Sequence, residues 1–165
     1  MYLLIVYLHV TAAAVWVGGL LFLALVAIPV ARTLPPPQRA SLVAALGRRF
    51  LPVAWTALAI LVVTGAAALA YRGVTWESVV TGRLWGGAFG RILLAKLILV
   101  MGTLALSALH DFHVGPASTR LAEQGAGDST AAVGLRRRAS GIARANTALA
   151  LAIVALAVVM VRGLR

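Results

Sequence analysis

The sequence predicts an all-α fold, an integral membrane four-helix bundle, and three observations predict it. The chain of 165 residues is 62% hydrophobic and only 12% charged, and its mean hydropathy is +0.98, outside the range of soluble domains. Four apolar stretches each approach or exceed the roughly 20 helical residues that cross a hydrocarbon core of about 30 Å. They run over residues 2–30, 51–71, 92–109 and 142–161, so one four-span domain accounts for the whole of residues 1–165. The two-residue alternation of barrel strands is absent, and continuous apolar runs favour helices, which satisfy their own backbone groups in lipid.

The first span opens without a basic segment and reads as a retained helix. Pro35-Pro36-Pro37 ends it, and a short amphipathic segment leads into the second span. The second connection is Gly-rich, with Trp76 and Trp85 suited to a membrane interface. From Gly115 to Ser140 the chain is small and polar, which predicts a mobile connection ending in Arg136-Arg137-Arg138.

The net charge of +11 lies in loops and at span ends, so it points to membrane topology rather than to nucleic acid. Arg32, Arg39, Arg48 and Arg49 lie in the first connection, and Arg120, Arg136, Arg137, Arg138 and Arg144 in or beside the third. The second connection and the tail hold only Arg72, Arg83, Arg91, Arg162 and Arg165. The positive-inside rule then places both termini outside and the first and third connections in the cytoplasm. The bilayer is the first partner implied, and a larger membrane complex or homo-oligomer the second. There is no cysteine, which removes disulfides, thiolate metal sites and Cys nucleophiles together.

An ionisable group in lipid costs several kcal/mol, so each one marks a candidate site. On the first span His9, Ala12, Ala13, Trp16 and Gly19 share one helical stripe. His9 reads as a haem or metal ligand or a proton-handling group, or else as a histidine bonded to a neighbouring helix. On the third span Lys96, Thr103, Ser107 and His110 fall within about 60° of one another and cover about 21 Å of depth. That seam is either functional or a set of hydroxyls bonding back to their own helix with a snorkelling lysine. Topology puts His9, Thr64 and Lys96 at similar depth near the outer end. His110 belongs to the opposite end, too far from His9 for both to ligate one iron. His110 and His113, at i and i+3, face one side of a helix and are metal candidates, although two imidazoles do not complete a site. The competing expectation there is a polar clamp at the inner helix ends built from Arg49, Asp111, Arg144 and Asn146.

LHVTAAAVWVGGLLFLALVAIP, RRFLPVAWTALAILVVTGAA, FGRILLAKLILV and ALHDFHVGPAS resemble the copper-resistance D (CopD) family of bacterial membrane proteins. The resemblance rests on H-x6-W-x-G-G, on Thr64-Gly65 and on G-R-x4-K ending at Lys96. It implies copper handling, with His9, Trp16, Arg49, Thr64, Lys96 and Asn146 as functional positions. A weaker similarity reaches the HemJ protoporphyrinogen oxidases, which implies haem b with His9 as axial ligand and a second position open or filled by Met101. The chain departs from HemJ where AIPVAR ends the first span and where Thr147-Ala148 follow Asn146. Copper(I) prefers thiolates and thioethers, and this chain offers only Met1, Met101 and Met160. Three readings follow: copper handling, a b-type haem redox protein, and an accessory subunit whose polar residues fix helix register.

Overall fold

A computed structural model describes residues 1–123 and 129–162. Helix α1 (Tyr2–Phe22) passes through a π-helical turn (Leu23–Ala27) into α2 (Ile28–Arg32), which together form the first span. Pro36 opens α3 (Pro36–Tyr71), where the fixed φ of proline suits a first helical turn. A short α4 (Trp76–Val80) and a 3-10 turn (Arg83–Gly86) lead to α5 (Ala88–Leu109). A second π-helical turn (His110–Val114) joins α5 to α6 (Gly115–Glu123), and α7 (Thr130–Arg162) closes the chain. Four helices, with no strand among the described residues, are long and apolar enough to cross a membrane.

Two helices extend further than the sequence suggests. Pro52 sits inside α3 without ending it, so the amphipathic segment and the second span are one continuous helix. The connection expected to be mobile over 115–140 is largely helical, as α6 and the first three turns of α7. Its Ala, Leu and Arg residues are strong helix formers, and their summed propensity outweighs two interrupting glycines, Gly115 and Gly134. The remainder of that connection, 124–128, and the tail residue Arg165 lie outside the described residues.

Ring contacts fix which helix ends lie together. Tyr2 at the start of α1 meets Tyr71 at the end of α3, with ring centroids 5.8 Å apart. Arg72 lies 5.6 Å above the ring of Phe89 at the start of α5. At the other face Trp55 of α3 stacks 5.5 Å from Phe112, just beyond α5. Successive spans are therefore antiparallel, with the chain start, the second connection and the end of α7 on one face.

The core is built from small residues around one large one. Trp16 is buried among Ala12, Ala54, Ala57, Leu58 and Ala150, and these alanines let helices approach closely where lipid supplies no hydrophobic driving force. The ring of Phe50 occupies the space a Cβ on Gly19 would need, and the Leu84 carbonyl does the same at Gly90. Most large apolar side chains face outward, as expected of surfaces that meet acyl chains.

Candidate functional site

His9 lies two turns into α1, facing α3. Its Nδ1 is 2.8 Å from Oγ1 of Thr64, and the Thr64 hydroxyl donates to the Ile60 carbonyl at 2.5 Å. A threonine hydroxyl has one hydrogen. With that hydrogen on Ile60, Thr64 can only accept from the imidazole, so His9 carries its proton on Nδ1. In the neutral ring the lone pair is then on Nε2, and the Leu61 backbone also hydrogen-bonds the imidazole. The ring lies over Gly65, where an added Cβ would stand 3.5 Å from His9 Cε1. That is ordinary van der Waals contact, so of the Thr64-Gly65 pair it is the threonine that acts on His9, by setting its tautomer.

Lys96 of α5 completes this group from the side. It is half-buried, its charge acts on His9, and that of Arg72 acts on Lys96. The ion pairs among the described residues are Arg83–Glu77 and His110–Asp111, so Lys96 has no acidic partner there. Trp16 lies two turns deeper on the same stripe of α1 and is 4% exposed.

The opposite end of the bundle has its own polar group. Trp55 Nε1 donates to Oδ2 of Asp111 at 3.0 Å, and His110 Nδ1 lies 2.9 Å from Oδ1 of the same carboxylate. An ionised carboxylate only accepts, so His110 donates there through Nδ1. The π-helical turn adds a residue to the helical register, a feature frequent at functional positions.

The residues expected as a clamp are not joined to one another. Asp111 is engaged by Trp55 and His110, and neither Arg49 nor Arg144 lies within ion-pair distance of it. Arg144 instead donates to the Ser140 carbonyl at 3.3 Å, and Arg49 is exposed. The physical reason is depth: both guanidinium groups are exposed, where snorkelling to water costs less than burial against a carboxylate. Asn146 is buried and donates through Nδ2 to Ser107 Oγ at 3.0 Å.

Metal ligation by His110 and His113 together finds no third ligand, since no group of three His, Cys, Asp or Glu is gathered among the described residues. Met101, one group offered for a second axial position otherwise left open, is 64% exposed on the outer side of α5. It faces away from the bundle because the inward stripe of α5 belongs to Thr103 and Ser107. His9 and His110 are separated by the depth of the α5 seam, about 20 Å at the helical rise.

Trp55 is the participant that sequence reading missed. The signal was present: an indole N–H in a span needs an acceptor, and Asp111 is the sole acidic residue in or beside a span.

No curated protein and no solved structure matches the chain. A family model described as copper resistance protein D (CopD) matches residues 44–160, from the third turn of α3 to the end of the last span, a region that includes Arg49, Thr64, Lys96 and Asn146 and leaves His9 and Trp16 ahead of it. Nothing in these comparisons supports the HemJ likeness. With four membrane-crossing helices and a match over well more than half its length, the chain belongs to the CopD family and is a multi-pass membrane protein related to copper resistance.

Proposed function

We propose that the protein handles copper within the bacterial inner membrane, with the ion as cargo meeting Nε2 of His9. One observation supports this most: Nδ1 of His9 lies 2.8 Å from the Thr64 hydroxyl, whose own hydrogen goes to the Ile60 carbonyl, an arrangement that puts the ring proton on Nδ1 and the lone pair on Nε2. A single imidazole beside the unpaired ammonium of Lys96 is a poor storage site. Repulsion from Lys96 shortens the stay of a cation, and a conduit needs sites that bind strongly enough to admit an ion and weakly enough to release it. Handling here therefore means transit, for uptake, homeostasis or resistance, and not a resident copper centre. Proteoliposomes loaded with a copper-sensitive dye test it. Wild type is expected to admit copper faster than empty vesicles. Thr64→Val removes the acceptor that orients His9 and is expected to slow the flux about tenfold, the usual scale for losing a group that orients a metal ligand, with Thr64→Ser restoring it. Flux equal to that of empty vesicles would end the proposal.

The arginine distribution supports a sidedness in which both termini and the second connection face outward. The native chain has no cysteine, so an introduced one is labelled alone. Trp76→Cys is expected to react with an impermeant maleimide on intact spheroplasts, and Arg138→Cys only after lysis; the reverse pattern would invert the topology.

A second reading, a b-type haem protein, is favoured by the uncompensated charge of Lys96 beside His9, which suits a carboxylate-bearing ligand. In that case His9 Nε2 would hold the iron, and haem would supply one-electron chemistry. It predicts a Soret band from the detergent-purified protein that vanishes in His9→Ala; a featureless spectrum removes it.

A further inference from the structure

The inward face of α5 contains a second arrangement, independent of the copper reading. Thr103 and Ser107 lie one turn apart and are 1% and 7% exposed, and Asn146 of α7 is 6% exposed against them. Asn146 spends its amide N–H on Ser107. Its Oδ1 and the Thr103 hydroxyl are buried with no hydrogen-bond partner. Thr64, Thr81 and Thr147 all turn their hydroxyls back onto the carbonyl four residues earlier, and Thr103 does not. Each unpaired polar group inside a membrane costs several kcal/mol. A water molecule with two to four polar partners removes that cost, and the unmatched donor and acceptors here are what such a water needs.

This polar node lies between two other polar groups. On one side are Lys96 and the His9–Thr64 pair, with Arg72 beyond; on the other are Asp111 and His110, with His113 exposed next to them. From Lys96 to Thr103, Ser107 and Asp111 the steps along α5 are seven, four and four residues, or about 10, 6 and 6 Å at the helical rise. Hydrogen-bonded neighbours stand about 2.7–3.0 Å apart, so a continuous file needs one to three waters in each gap. We propose that the α5–α7 seam, through Thr103, Ser107 and Asn146, holds a water file that conducts protons along the inward face of α5 between the level of Lys96 and that of Asp111.

Proton flux in copper-free proteoliposomes tests this, using an internal pH dye, an imposed pH step and valinomycin with potassium to dissipate charge. Wild type is expected to exceed empty vesicles clearly. Thr103→Val keeps the shape of the side chain and removes the hydroxyl, and is expected to cut the excess flux at least fivefold. Asn146→Leu should do the same, and Thr147→Val, outside the seam, should change nothing. Circular dichroism on each reconstituted variant establishes that it is folded, and Thr103→Val alone decides the matter if Asn146→Leu is not. Wild-type flux equal to that of empty vesicles, or excess flux retained in Thr103→Val, overturns the proposal. Because copper is absent, failure here leaves the copper reading standing, and the reverse holds as well.

Discussion

Replacing His9 by alanine is expected to reduce copper flux by about 100-fold, the upper end of what perturbing a metal ligand's surroundings costs and a fair floor for losing the ligand itself. The reason is that no other side chain can substitute. The remaining histidines lie at the far end of the bundle, there is no cysteine, and no cluster of ligating groups is gathered among the described residues. His9→Ala also leaves Thr64 without its donor, but that hydroxyl keeps its bond to Ile60, so stability should change little. A flux measurement paired with a thermal unfolding midpoint in detergent separates the two effects. Loss of flux with an unchanged midpoint is the expected pattern; loss of both together would recast His9 as a packing residue.

Trp16→Ala is expected to produce the largest loss of stability, about 3–5 kcal/mol, as for other large aromatic deletions from a packed core. Its indole fills the space left by Ala12, Ala54, Ala57 and Ala150, all too small to collapse into the cavity. The neighbouring Phe50 ring already packs against Gly19 and the cluster. Denaturation in a mixed-micelle titration would measure this, with Trp16→Phe expected to lose markedly less. Trp16→Ala indistinguishable from wild type would mean that the helices are held by something other than this cluster.

The fold was legible from apolar run length alone, because a bilayer imposes one solution on such runs and the solution is helical. Helix ends were less so. Pro52 and the Ala-rich start of α7 continue helices that local signals would end, since a proline cost is absorbed when the segments on both sides are strong helix formers. His9 and Thr64 were readable as a pair from depth and antiparallel direction, and their bond was not, because it depends on the rotation of two helices about their axes. Asp111 illustrates the limit best. It lies within the π-helical turn at His110–Val114, which no feature of HDFH announces, and its partner is the Trp55 indole while Arg49 stays exposed.

The account depends most on the protonation of one ring, with His9 meeting copper through Nε2 because Thr64 holds the proton on Nδ1. Nitrogen-15 NMR of histidine-labelled protein reads this directly, as there are only three histidines and His9→Ala assigns its signals. Before metal is added, His9 is expected as the Nδ1–H tautomer, and on titration with copper(I) its Nε2 resonance is expected to move while Nδ1 stays bonded to Thr64. An Nε2–H tautomer, or copper that shifts only His110 and His113, would contradict it.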